Sequence, residues 1–556
     1  MKNRYRLLIM LCGKSPQLVG IFLVTGFCLL LSGCQKDQGV EHPGLDQNAT
    51  PVYGDTFIEA SIGDANTLLP VLASDSASSE INGLLYNGLV RYDKDLKLEG
   101  ELAENWEISP DNLTITFHLR KNVLWHDGAP FTSADVKFNY ELYVDPHTPT
   151  AYAESFRQVE SVETPDPYTF IAHYSKPYAP ALLSWGMPIH PQHLLAGEDV
   201  TKSPLARRPV GTGPYKFNEW QSGEKIVLDA NPDYFEGRPY IKRVLYRVIP
   251  DLSTQFLELQ TGGLDFMGLT PLQYDRQTDT PAFRRLFNKY RYLNFGYAYL
   301  GYNLRRPMFQ DKRVRQALSY AINKQEIIDG VLLGYGAIAT GPYKPDTWVY
   351  NPHVHRYPYD PQKARALLAE AGWTDSDGDG ILDRKGQKFV FTIVTNQGND
   401  LRSKTGEIIQ RRFKEIGIDV KLRVIEWATF LKEFINPGNF DATILGWSGG
   451  PEPDQYSVWH SSKTAPGQLN FIGFKNAEVD ELLEKGRRVF DQAERKVYYD
   501  RFQEILAEEQ PYTFLYVPEA LPAVSKRFRG IKPAPAGIRY NFIKWYVPKS
   551  EQKYTR

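Results

Sequence analysis

The sequence predicts a mixed α/β protein, and three observations carry that prediction. Between Phe389 and Ile425 a strand, a helix and a second strand follow in turn, the pattern of a right-handed parallel crossover. Earlier in the chain apolar and polar residues alternate, with Leu113, Ile115, Phe117 and Leu119 on one face and Thr114, Thr116 and His118 on the other. After residue 310, capped segments of helical spacing recur. Neither a helical bundle nor an all-β fold accommodates all three.

Taken in order, the chain opens with Arg4, Arg6 and Lys14, then an apolar run from Val19 to Leu31 that ends in Leu31-Ser32-Gly33-Cys34. The run is shorter than the ~20 residues that span a bilayer and has the length of a signal-peptide core. An uncleaved membrane anchor is the alternative, and either way the body lies outside the cytoplasm. Gln35 to Pro51 is polar, with Gly, Pro and Asn and little periodicity, and reads as a tether over 34–50. Thr56-Phe57-Ile58-Glu59-Ala60 alternates as a strand, and Thr132 to Asp135 starts a helix with its capping residues.

Asp311 caps a helix whose inner face is Val314, Ala317, Leu318, Ala321 and Ile322. Asp360-Pro361 opens another, with Ala364, Leu367, Leu368 and Ala371 inward and Gly372 as its stop. In the crossover unit the first strand is Phe389 to Val394, and the helix, 401–416, buries Ile408, Ile409 and Phe413. Gly417 ends it, and Ile418, Val420, Leu422 and Val424 alternate in the second strand. Helices around 478–490 and 493–508 complete a C-terminal α/β region.

Composition removes several functions. The three cysteines are Cys12, Cys28 and Cys34, so the body holds no thiol for a disulfide, a zinc cluster or a nucleophile. A net charge of -1 with no stripe of Lys and Arg argues against nucleic acid. Thirty-four tyrosines suit an adaptable binding surface as well as packing between domains. No Gly-x-Ser-x-Gly, Walker loop or dinucleotide fingerprint occurs, so an enzyme would lack its nucleophile and base.

Three groups of side chains invite a metal. Asp375-Ser-Asp377-Gly-Asp379-Gly380 matches the first half of a calcium loop, and Asp383 adds an oxygen, but Gly386 stands where a bidentate glutamate belongs. A structural calcium and a plain turn are both open; no cofactor is required. His190 with His193, and His353 with His355, read as solvated loop histidines, because zinc needs more ligands than such a pair supplies.

The N-terminal segment resembles a bacterial lipoprotein signal. The resemblance implies a signal peptide over 1–33, cleavage before Cys34 and a thioether-linked diacylglycerol on its sulfur, hence a protein tethered to a membrane. Longer strings resemble the family 5 extracellular solute-binding proteins, the oligopeptide- and dipeptide-binding components of ABC importers. They run from Leu102 to Val136, including Trp125-His126-Asp127-Gly128, and recur at Asn82 to Leu89, Pro209 to Tyr215, Asn231 to Phe235, Tyr302 to Phe309 and Phe440 to Trp447.

Such a resemblance implies two α/β lobes joined by two crossing strands, with a third subdomain inserted in the first lobe and ligand in the cleft between lobes. Lobe one would comprise 51–94, 208–300 and 531–556, the insertion 95–207, and lobe two 301–530. Asp75, Ser76 and Ala77 would pair with a ligand backbone from the first lobe, and Trp447, Ser448, Gly449 and Gly450 from the second. In peptide-binding members an aspartate just beyond that Gly-Trp holds the ligand's α-amino group, and Gly450 takes its place here. Glu452 or Asp454 then holds the amine, or the ligand has none at that point.

The implied function is an extracytoplasmic oligopeptide-binding lipoprotein, a monomer that serves an ABC permease and ATPase. The same fold taking a metal chelate, an opine or an oligosaccharide is the alternative, as is a ligand-presenting sensor subunit.

Overall fold

The computed structural model describes residues 50–554, so the signal segment, Cys34 and most of the tether lie outside the described residues. No helix among the described residues is long and apolar enough to cross a membrane.

A four-stranded sheet opens the fold. Gly54–Ser61 runs parallel to Ile241–Val248, which continues antiparallel through Lys225–Ala230 to Tyr215–Gln221. Beside it, Phe266–Gly268, Pro522–Ser525 and Phe287–Lys289 form a three-stranded sheet. An antiparallel sheet of Ala103–Ile108, Thr114–Leu119, Thr169–Tyr174 and Val159–Asp166 packs against the helix Ser133–Val144. That helix starts as the sequence predicts, with the Thr132 amide donating to the Asp135 carboxylate at 2.9 Å.

The largest sheet holds the crossover unit. Val390–Asn396 lies parallel to both Asp419–Ile425 and Ala442–Trp447, and Tyr297–Tyr302 and Tyr512–Ala520 extend it antiparallel. Helices cover both of its faces. Along Tyr297–Tyr302 every residue is buried, with Ala298, Leu300 and Tyr302 in one core and Tyr297 and Tyr299 in another. Asp311 and Asp360 cap their helices as expected, each accepting from a backbone amide of the first turn. Val424 departs from the alternation: it is 46% exposed, and Ile425 takes the inward place at the strand's end.

Two passages join the first lobe's sheets to the large sheet. Tyr292 lies opposite Ala520 and Leu293 opposite Glu519, so the passages run side by side and antiparallel. The Arg291 guanidinium donates to Glu519 at 2.8 Å across them. Pro522–Ser525 already belongs to the three-stranded sheet and Val524 to the first lobe's core, so the chain returns before residue 522 and not at 530.

A buried triad ties the ends of the first lobe together. Arg527 donates to Asp265 at 2.8 and 2.6 Å, to the Asp55 carboxylate and to the Thr56 carbonyl at 2.8 Å. The three side chains are at most 6% exposed.

His190 corrects the sequence reading. It is fully buried, its Nε2 accepts from the Val71 amide at 3.2 Å, and its Nδ1 lies 2.6 Å from Asn139 Oδ1. Those partners fix a neutral imidazole, and burial pulls it down to about 3. His126, held between the Gly211 amide and the Gly213 carbonyl, is pulled down to about 4 for the same reason. The unfolded chain protonates both near pH 6.5, so their stabilising contribution is lost as pH falls from there. Buried Glu59 and Glu101, each pushed up to about 7, act in the opposite sense between pH 4.5 and 7. In an NMR titration, the His190 ring signals are expected to stay those of a neutral ring down to pH 5, and a midpoint near 6.5 would refute this assignment.

Candidate functional site

Parallel strands of one sheet bring their carboxyl ends to one edge, where α/β proteins bind ligands. Here Asn396, Ile425 and Trp447 end their strands at that edge, and Tyr297 begins its own opposite Trp447. The loops that follow face the first lobe. A Cβ added to Gly63 would lie 2.9 Å from the Trp427 Cβ, and one on Gly398 would lie 2.4 Å from the Pro250 carbonyl oxygen. The two lobes therefore touch across the crevice, which is closed.

The second-lobe residues singled out by sequence lie together at this edge. Trp447 is half-buried, its indole 3.4 Å from the Tyr512 hydroxyl and its ring 5.8 Å from Phe471. Ser448, Gly449 and Gly450 are exposed, and the space beside Gly450 is open.

Asp75, Ser76 and Ala77 lie at the start of a helix. Asp75 is the N-cap of the helix Ser76–Leu85, accepting from the Ser78 amide at 3.0 Å and the Ser78 hydroxyl at 2.7 Å. An Asp followed by small residues that fit a first turn explains the helix start. Burial raises the Asp75 carboxyl in spite of those bonds. What this segment presents is a helix's first turn, whose amides at Ser76 and Ala77 lack intrahelical acceptors.

Both acids beyond Gly450 are committed to arginines. Glu452 binds Arg495 at 2.6 Å, and Asp454 binds Arg487 at 2.7 and 3.0 Å. Burial raises Glu452, while Arg495 beside it works to lower it. Arg487 also reaches the inserted subdomain, with Nη1 3.4 Å from Glu154, whose other oxygen accepts from Lys463 at 3.0 Å. The Ala179 amide donates to the Arg487 carbonyl at 2.6 Å, and Gln468 donates to the Thr150 carbonyl at 3.3 Å. This buried ionic seam joins the inserted subdomain to the large lobe.

Arg402 was not found from sequence. It is half-buried in the first turn of Asp400–Glu415, donates to Asn396 Oδ1 at 2.7 Å, and no carboxylate among the described residues pairs with it. The signal was present, since a cation in a helix's first turn opposes the macrodipole. Burial pulls its guanidinium below the usual range.

The model for bacterial extracellular solute-binding proteins, family 5 (middle), matches residues 97–468. The chain belongs to this family. Family 5 proteins bind substrates and are not enzymes, and their structures are two-lobed.

Among family 5 relatives, the oligopeptide-binding protein AppA of Bacillus subtilis is 35% identical over 548 residues, 96% of this chain and 99% of AppA. Its structure with a nonapeptide superposes with a TM-score of 0.86 at 34% identity, covering 90% of this chain and all of that one. Heme-binding protein A of Haemophilus influenzae is 30% identical over 92% of this chain and 95% of its own length. NikZ of Campylobacter jejuni, solved with Ni(L-His), gives a TM-score of 0.81 at 29% identity, over 88% of this chain and 99% of NikZ.

Away from this family 5 crevice, the Asp375, Asp377 and Asp379 carboxylates approach within 4.8 Å of one another. The Lys388 ammonium lies 2.5 Å from Asp377 and 2.9 Å from Asp379, supplying a positive charge from within the chain. Asp383 is not part of the cluster, because it accepts from the Ser376 amide and hydroxyl. The Gly378 and Gly380 amides donate to Asp375, as in a tight turn.

Proposed function

We propose that this family 5 protein is the capturing component of an ABC importer for oligopeptides, tethered by a lipid on Cys34 and delivering its ligand to a permease and ATPase. The observation that carries the reading is the agreement, in sequence and in shape over nine-tenths of the chain, with a binding protein solved around a nonapeptide. The engaged state of Glu452 and Asp454 supports a longer peptide in particular. With both acids neutralised, the N-terminal amine has no free carboxylate at that place, and affinity is left to backbone hydrogen bonds along the ligand.

In this reading Trp447, Ser448, Gly449 and Gly450 line the ligand from the large lobe, and the first turn at Asp75, Ser76 and Ala77 offers amide donors from the other. Arg402, without an acid of its own, would meet a ligand carboxylate. Trp447→Ala is expected to weaken peptide binding roughly tenfold, about 1.4 kcal/mol, in calorimetry. An unchanged affinity would remove Trp447 from the site.

Native mass spectrometry of the purified protein tests the function. A co-purified set of peptides several residues long is expected, together with a thermal shift on adding a peptide mixture. Recovery of a metal chelate or another non-peptide solute, as in the NikZ complex, would replace the reading. An empty cleft that gives no shift with peptides would overturn it.

A further inference from the structure

A second cavity, of about 360 Å³, lies in the large lobe and shares no residue with the crevice. Its volume is within the range of small-molecule sites. It opens between the strand Gly336–Ile338, the start of the helix Lys324–Gly330 and the segment 350–359. Ile338, Phe514 and Pro358 supply an apolar surface, and the rings of Tyr350, Tyr357 and Tyr359 stand around it.

Its charge balance is unusual. Lys324 and Arg356 line it, and no carboxylate does. The half-buried Lys324 ammonium has no hydrogen-bond acceptor and no acid partner among the described residues. Two other lysines with restricted exposure in this lobe are paired, Lys463 with Glu154 and Lys388 with two aspartates, and Lys344 lies over the Phe295 ring. The nearest acid along the chain, Glu326, is taken by Arg411 and Arg412. Burial without compensation pulls the Lys324 ammonium down to about 8. Arg356 is exposed, and its one hydrogen bond among the described residues is to the Pro352 carbonyl at 3.3 Å, which leaves its guanidinium room to turn inward.

A desolvated cation without a counter-charge is costly unless a ligand supplies one. Beside it stand apolar and aromatic walls sized for a small organic body. We propose that this cavity is a second binding site, separate from the peptide crevice, for a small organic anion: an aromatic or branched aliphatic carboxylate. The carboxylate meets Lys324, with Arg356 closing over it, and the apolar body lies against Ile338, Phe514 and the tyrosines. Occupation would brace the segment 350–359 against the start of the helix Lys324–Gly330.

Phenylacetate is the probe, titrated calorimetrically into the purified protein, with benzyl alcohol as the uncharged comparison. One saturable site is expected, with benzyl alcohol at least tenfold weaker. Lys324→Met should bind phenylacetate at least tenfold more weakly, and Lys324→Arg within threefold of the unaltered protein. A saturating peptide mixture should leave the phenylacetate affinity unchanged. The proposal is overturned if the unaltered protein shows no saturable binding, if benzyl alcohol binds equally well, or if peptides displace phenylacetate. Equal affinity in the Lys324→Met protein overturns it as well. Should that variant fail to fold, judged by thermal unfolding, Lys324→Gln replaces it and the benzyl alcohol comparison decides independently.

Discussion

Arg527→Met is expected to lower the unfolding free energy by about 3–5 kcal/mol, because it strands two carboxylates in the core. Asp55 and Asp265 are 0% and 2% exposed, and burial raises Asp265 with Arg527 as its main opposing influence. Neither carboxylate can turn to water. The Asp55 oxygens also accept from the Lys553 and Tyr554 amides at 3.1 and 3.0 Å, bonds that the substitution leaves in place but that do not neutralise the charge. Urea unfolding at neutral pH measures the effect, and a change below about 1 kcal/mol would mean that the triad is not the tie described. Adding Asp265→Asn to the methionine variant should recover part of the loss, since one buried charge is then gone.

Glu154→Ala is expected to shift the protein toward an open arrangement and to weaken ligand capture about thirtyfold. Glu154 is 7% exposed and is the acid through which the inserted subdomain meets Lys463 and Arg487. Removing it leaves Lys463 buried without its partner, whereas Arg487 keeps Asp454. Truncating one side of a buried charge pair across an interface costs ~2–5 kcal/mol, and the retained Asp454 contact favours the lower end. A penalty borne only by the closed form reduces the apparent affinity by up to the same factor. Small-angle scattering should then show a larger radius of gyration without ligand, recovering at saturating peptide. The same affinity and the same scattering curve would show that the seam does not hold the lobes together. Trp447→Ala offers the contrast, since it should weaken binding without changing the shape of the free protein.

Local features were legible and distant ones were not. The crossover unit, the caps at Asp311 and Asp360 and the Thr132–Asp135 start follow from neighbours a few residues apart, and the structure has them. His190 looked like a loop histidine, since its partners at Val71 and Asn139 lie 119 and 51 residues away in sequence. For the same reason Glu452 and Asp454 could be named as acids near the crevice, while Arg495 and Arg487, 43 and 33 residues later, could not be assigned to them. The helix start at Asp75 follows from a capping preference local to that segment, whereas its partners on the other lobe lie hundreds of residues away.

The paired passages at Tyr292–Leu293 and Glu519–Ala520 also bear on how the chain assembles. Everything the large sheet needs is contiguous between them, so that lobe can fold as one uninterrupted stretch. The first lobe cannot, because Phe57 packs against Phe528, Phe542 and Trp545, hundreds of residues further on. Contacts of such separation form slowly. The first lobe's core is therefore complete only once the C-terminal segment has joined it.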